Sequence, residues 1–256
     1  MTADVHTAKE NGVLVLQLTR AQKKNAITAA MYADLAAALT AAETDSDVRS
    51  VMITGEDGVF TAGNDLADFL ANPPLDQSAP VFQFIAALAN ATLPYVAAVD
   101  GPAVGIGTTL LLHCDFVVLT PRARLQLPFV NLGLVPEAGS SYLLPKMLGH
   151  ARAAELLLLG DPVTAEDAVR LGFANRIVPA EQLQQTALDL AHRLAAKPPA
   201  ALRASKRLLR QDRDHLLAVM REEARQFAER LVSAEAREAF SAFLEKRAPD
   251  FSRSTP

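Results

Sequence analysis

The chain has 256 residues, half of them apolar, and a formal net charge of −4. That length suffices for one large core or two modest ones. A mildly acidic chain with no basic stripe argues against a nucleic-acid partner, and no apolar run approaches the length needed to cross a bilayer. Lys and Arg do thicken in the last quarter, but Asp and Glu accompany them, as on solvated helix faces. The single cysteine, Cys114, lies in an apolar segment and reads as a small core residue, with no disulfide possible within one chain. The first ten residues lack the pattern of a signal peptide, and the final Ser-Thr-Pro is not the Ser-Lys-Leu peroxisomal signal. A soluble cytoplasmic protein is expected.

In chain order, the apolar run 13–18 predicts a strand. Thr28 is placed to cap an alanine-rich helix reaching about Glu43, and 51–54 predicts a second short strand. Residues 72–80 (NPPLDQSAP) read as a mobile surface loop, 80–90 as a helix and 95–99 as a strand. A helix should open at Gly105 and run to about His113, followed by a strand at 116–119. Strands alternating with helices argue for an α/β core, and strands that are apolar almost throughout predict a sheet covered on both faces. From about Gly139 nearly everything carries helical spacing, with one short strand near 175–178. Pro198-Pro199 breaks the long helix expected over 181–196, and helices continue to about Lys246. Their apolar faces are large for the periphery of a monomer, so they are expected to pack on another subunit.

The most informative stretch is 96–115 (VAAVDGPAVGIGTTLLLHCD), in which a strand runs through a turn of small residues into a helix at Gly105-Ile106-Gly107. The first N–H groups of a helix have no intrahelical partner and sit at the positive end of its dipole, and glycines let a ligand oxygen approach them. The stretch is therefore either a site for a negative oxygen or a tight packing turn without a ligand. The spacing of Gly101, Gly105 and Gly107 does not fit G-x-G-x-x-G, since Leu110 stands where the third glycine would fall. A second small-residue segment, 60–66 (FTAGNDL), also follows a strand, and Asp65 is placed to begin a helix. Two such segments in one α/β core suit a pair of donors for one oxyanion.

On these motifs the chain resembles the crotonase superfamily, the enoyl-CoA hydratases and isomerases. Residues 60–66 and 101–115 resemble the two oxyanion segments of that family, 164–179 (TAEDAVRLGFANRIVP) its signature after the core, and 199–208 (PAALRASKRL) its C-terminal helix, so that the similarity covers about 5–245. The resemblance implies an α/β fold with a spiral of ββα turns over 1–195, which would hold CoA and the active site, and a helical oligomerisation region over 196–256. It implies an acyl-CoA thioester as substrate, with coenzyme A entering as part of that substrate and no separate cofactor or metal. It also implies a homotrimer or a dimer of trimers, with no nucleic-acid or membrane partner. By position, the oxyanion donors would be the N–H groups of Asn64 and Ile106. The substrate's CoA part would lie against Lys24, Asn25, Ala26, Ala62, Gly63, Asp65, Leu66 and Gly105. Lys23 and Lys24 are either phosphate contacts or ordinary surface charges.

The acids then set the reaction, because fold alone does not. A hydratase of the family's usual kind would carry glutamates at positions 109 and 129, where this chain has Thr109 and Phe129. Neither moves a proton at neutral pH. Glu137, in 134–141 (LVPEAGSS), is on its own a first-turn glutamate favoured by a helix dipole. However, 135–149 (VPEAGSSYLLPKMLG) resembles the Δ3,Δ2-enoyl-CoA isomerases, in which the acid at this position is the catalytic base. Moving a double bond from C3 to C2 needs one proton taken from C2 and one returned at C4, and one carboxylate can do both. Phe129, Val135 and Phe84 are expected to dry the pocket and raise the proton affinity of Glu137. The alternatives are a ring-derived acyl-CoA isomerase, a hydratase with an unusual residue set, and a scaffold that binds acyl-CoA without turnover. No G-x-S-x-G is present, Ser140 and Ser141 read as a helix start, the five histidines lack metal spacing, and His113 reads as a buried core residue.

Overall fold

In the computed structural model of the protein, residues 2, 4–74 and 76–253 are described. Leu75, within the expected loop over 72–80, and the terminal Ser254-Thr255-Pro256 lie outside the described residues.

Four parallel passes of the chain build the molecule. A six-stranded sheet runs in the order β1 (Val5–Glu10), β2 (Val13–Leu18), β3 (Ser50–Thr54), β4 (Tyr95–Val99), β6 (Phe116–Leu119) and β9 (Arg176–Ile177). Only the β1–β2 pair is antiparallel; β2–β3, β3–β4, β4–β6 and β6–β9 are parallel. A smaller sheet joins β5 (Pro102–Val104), β7 (Arg124–Gln126) and β8 (Val163–Thr164). Single parallel bridges extend it, from Thr61 to Ala103 and from Asn64 to Ile27. Each pass therefore lays a strand in the large sheet, touches the small one, and turns into a helix. The helices are α1 (Ala29–Thr44), α2 (Leu66–Ala71), α3 (Pro80–Asn90), α4 (Ile106–Thr109) and α5 (Ser140–Leu148). The ββα repeat implied by the sequence is thus visible in the hydrogen bonds.

The pleat divides the large sheet between two cores. Val51, Ile53, Tyr95, Ala97, Val99, Val117 and Leu119 face the main core beneath α1 and α3. Met52, Val96, Ala98 and Val118 face Leu183, Ala187, Leu190 and Ala191 of α8 (Leu183–Ala195). Both faces are covered, which is why these strands read as continuous apolar runs rather than alternating ones. After α6 (His150–Ala154), α7 (Ala165–Leu171) and α8 come α9 (Pro199–Leu209), α10 (Arg213–Leu231) and α11 (Ala234–Glu245). Among the described residues no helix is long and apolar enough to cross a membrane.

The elements depart from the sequence expectations in informative places. The helix expected from Gly105 to His113 is α-helical only over Ile106–Thr109 and tightens to 3-10 geometry over Leu110–His113. The long helix expected from 181 starts at Leu183, after a 3-10 turn over Ala180–Gln182. The second half holds a further strand, β8, and β5 and β7 were hidden in what reads as loop. Strands of two or three residues carry no period to detect. β1 was hidden for another reason. It is an edge strand with one buried side chain in six, and its only signal is the Asn11-Gly12 turn, whose two residues take φ +48° and +83° as a tight hairpin requires.

Candidate active site

The two small-residue segments lie side by side. Thr61 N–H donates to Pro102 C=O and Val104 N–H to Thr61 C=O, both at 3.0 Å, so Thr61 and Ala103 are in register. Three residues further along each segment stand Asn64 and Ile106. Gly63 takes φ +87°, and a Cβ there would fall 2.8 Å from Val104 O, so only glycine allows this approach. Gly105 takes φ +56° with ψ −117°, a conformation open to glycine, and it turns the backbone into α4.

Local bonds then use up the neighbouring donors. Ala62 N–H bonds Lys24 C=O at 2.9 Å, Gly63 N–H bonds Thr61 Oγ1 at 3.0 Å, and Asp65 N–H bonds Ile27 C=O at 2.9 Å. Gly105 N–H bonds Gln126 C=O at 2.9 Å. Among the described residues the N–H groups of Asn64 and of Ile106, with that of Gly107 beside it, have no acceptor. The reason differs between the two segments. Asn64 is the bridge residue to Ile27, so its neighbours do the bonding and its own N–H points the other way. Ile106 and Gly107 are the first residues of a helix.

Glu137 is buried, 6% exposed, and its Oε1 accepts from Thr109 Oγ1 at 2.5 Å. Thr109 lies one helical turn after Ile106, so the carboxyl group is tied to the helix whose first N–H groups are free. Oε2 has no protein hydrogen bond among the described residues. Burial raises the Glu137 pKa to about 8; the Thr109 hydroxyl opposes that rise, and the charge of Glu223 adds to it. Phe84 and Phe129 are buried, while Val135 is half-buried. Glu137 and Glu223 are the fully buried acids among the described residues, and the Glu223 oxygens are occupied by Gly139 N–H, Ser141 N–H and Ser141 Oγ.

Two contributors were not visible in the sequence. Tyr32 on α1 donates its hydroxyl to Asn64 Oδ1 at 2.5 Å, and burial with the nearby Glu137 charge pushes its pKa well above the usual range. Its ring packs on Phe84, 5.6 Å between centroids. No motif marks an aromatic residue inside an alanine-rich helix. Glu223 lies far along the chain on α10, with no local pattern to connect it to 137.

Of the residues expected around coenzyme A, those near 24–26 and 62–66 lie on segments joined by the bond from Ala62 N–H to Lys24 C=O. Lys24 is exposed, Ala26, Ala62 and Leu66 are half-buried, and Gly63 is buried. Asn25 is 0% exposed, and its amide is spent inside the protein, accepting from Arg20 N–H at 2.9 Å and donating to Val59 C=O at 2.7 Å. Asp65 caps α2 through Ala67 N–H and Asp68 N–H and pairs with Arg20 Nη1 at 2.7 Å. Both side chains hold the loop rather than face outward. His113 is buried, and its Nε2 donates to Ala138 C=O at 2.8 Å; burial lowers its pKa to about 4, so it stays neutral. Burial pushes the Cys114 thiol up to about 12, which leaves it unreactive.

The profile of the enoyl-CoA hydratase/isomerase family matches residues 8–254. The 2,3-dehydroadipyl-CoA hydratase of Escherichia coli is 35% identical over 97% of this chain and 98% of its own length. Enoyl-CoA delta isomerase 2 of the rat is 37% identical over 93% of this chain, which spans only 62% of that protein. Hydratase and isomerase relatives thus stand at similar identity. The solved structure of OdaA from Pseudomonas aeruginosa superimposes with a TM-score of 0.92 and 49% identity, covering 95% of this chain and 99% of that one. The chain belongs to the enoyl-CoA hydratase/isomerase family.

Proposed function

We propose that this protein is an acyl-CoA isomerase that shifts a C3 double bond to C2, converting 3-enoyl-CoA to 2-trans-enoyl-CoA. The observation that carries the reading is a buried carboxyl group, Glu137, with one oxygen free of protein bonds among the described residues, tied through Thr109 to the short helix that opens with unpaired backbone donors. Thr109 and Phe129 stand where two-carboxylate hydration would need acids. The coenzyme A part of the substrate would lie against Lys24, Ala26, Ala62, Gly63, Leu66 and Gly105.

In this mechanism the thioester oxygen accepts from the N–H groups of Asn64 and Ile106. Glu137 removes a proton from C2, and the electron pair of that C–H bond moves into the C2–C1 unit. The resulting dienolate carries its charge on the thioester oxygen. Because that charge is greatest after proton removal, donors fixed in advance favour the transition state over the ground state. Glu137 then returns the proton to C4, the C3–C4 double bond becomes single, and the C2–C3 double bond forms. Substrate and product have the same atoms, so no co-reactant is needed. A carboxyl group with a pKa near 8 suits a group that must both take and give a proton near neutral pH.

Substitution tests this directly. Glu137→Gln is expected to reduce conversion of 3-enoyl-CoA by at least about a thousandfold while leaving binding of the CoA ester within about threefold. Turnover near that of the wild type would remove Glu137 from the chemistry. Formation of 3-hydroxyacyl-CoA from 2-enoyl-CoA at comparable rates would favour the hydratase reading instead.

A further inference from the structure

The turn after Glu137 holds an alanine in a backbone conformation that alanine does not favour alone. Ala138 takes φ +55° and Gly139 +75°, immediately before the nine-residue helix α5. The first N–H groups of that helix attract an anion. The nearest carboxylate along the chain is Glu137 itself, and a Glu137 that capped α5 would be lost to any other task. Glu137 gives the α5 start only its main-chain carbonyl, which accepts from Ser140 N–H at 3.0 Å and Ser140 Oγ at 2.7 Å, and the side-chain cap comes from elsewhere. Glu223 of α10 accepts from Gly139 N–H at 2.6 Å with Oε2, and from Ser141 N–H at 3.0 Å and Ser141 Oγ at 2.5 Å with Oε1. It is 7% exposed, and burial raises its pKa, while the Ser141 hydroxyl and the Gly139 and Ser141 N–H groups that it accepts from oppose that rise and favour the ionised form. The same face of α10 closes on the turn through Leu216 and Met220, whose side chains lie against Gly139. From the opposite side, His113 holds the carbonyl of Ala138.

We infer that Glu223 is a positioning residue for the reaction: by placing its own charge at the start of α5, it keeps Glu137 out of that cap, turned toward Thr109 and basic. The inference rests on Glu137 as the proton-transfer group. The groups around Glu137 are the Thr109 hydroxyl on α4, the Tyr32 phenol on α1 and the Glu223 carboxylate on α10, with His113 held neutral behind Ala138. Lys206 and Arg210 of the α9 segment act on His113. Within this set Glu223 is the one negative charge that disfavours an ionised Glu137, and it also quenches the positive helix start that would favour one.

The test uses the full chain with Glu223→Gln. The amide can still accept at Ser141, but its NH2 group faces Gly139 N–H, so that donor becomes available to Glu137. Two readouts are needed: the pH dependence of kcat/KM for 3-enoyl-CoA, and infrared titration of the Glu137 carboxyl band, assigned by difference against Glu137→Gln. The expected result is a Glu137 pKa lower by about half a unit or more, together with a kcat loss of roughly tenfold or more at little change in KM. Glu223→Asp, one methylene shorter, withdraws the cap while keeping the charge nearby; it should shift the same pKa downward by less, and it serves if the glutamine variant does not fold. An unmoved Glu137 pKa in a folded variant, with any rate loss matched by lower thermal stability, would make Glu223 a structural cap only and overturn the inference. The infrared titration needs no substrate, so it decides this point even if the wild-type protein proves inactive on 3-enoyl-CoA.

Discussion

Burial moves the Glu137 pKa from an ordinary 4.5 to about 8, and under the proposed function that shift bears on both activity and stability. A base is active when ionised, so kcat/KM for 3-enoyl-CoA should rise with pH and level off above about 8. For stability the sign is the reverse of a salt-bridged acid. The unfolded chain releases this proton near 4.5 and the folded chain near 8, so the contribution is intact below 4.5 and lost as pH rises between those values. Glu137→Gln should therefore be more stable than the wild type at pH 8, by on the order of 1 kcal/mol, with the difference vanishing in acid. Denaturant titrations at both pH values check this; equal stability at pH 8 would show that the carboxyl group is better solvated than its burial indicates. Glu137 itself was legible as the candidate base only through the family motif around it. Its partners were not, because Tyr32 and Glu223 reach it across the fold from positions 105 and 86 residues away.

At the scale of elements, the site depends on two backbone segments held in parallel register by Thr61 and Ala103 and kept close by Gly63. Adding one methyl group at 63 would drive a Cβ into Val104 O, in a backbone conformation that alanine disfavours. Gly63→Ala should therefore cost about 1–3 kcal/mol of stability and reduce kcat by more than that loss of folded protein explains. Comparing activity per folded molecule with the unfolding free energy separates the two effects. If activity per folded molecule were unchanged, the spacing of the Asn64 and Ile106 donors would not control the rate. Local chemistry made these segments readable. Small residues follow a strand, Asp65 is a capping side chain, and Thr28 likewise caps α1 through Met31 N–H, as its position suggested. The small sheet that sets the register was not readable, because β5, β7 and β8 have two or three residues each and owe their existence to pairing partners distant in sequence.

At the scale of the molecule, the C-terminal helices are joined to the sheet by a buried cation. Lys206 of α9 is 4% exposed; its Nζ donates to Leu93 C=O at 2.5 Å and Asp115 Oδ2 at 2.7 Å, and it sits 4.6 Å from the Tyr95 ring centroid. Asp115 in turn accepts from Tyr95 N–H, the first residue of β4. Lys206→Met would keep the volume but leave Asp115 without its cation. Asp115 keeps some solvent and has Arg210 nearby, so the loss should be about 2 kcal/mol, less than for a fully buried pair. Guanidinium unfolding measures it, and a change under about 0.5 kcal/mol would mean that the α9 junction does not depend on this lysine. The sequence marked this helix by its likeness to a family segment, while the lysine's inward orientation became apparent only from the fold.

The central claim is that one carboxyl group carries one proton between two carbons of the same substrate. Conversion of 3-enoyl-CoA carrying deuterium at C2, with the product read by mass spectrometry and NMR, tests it most directly. The account predicts 2-enoyl-CoA with a substantial share of the label at C4, no 3-hydroxyacyl-CoA, and neither product from Glu137→Gln. Product bearing only solvent hydrogen at C4, formed equally well by Glu137→Gln, would contradict it.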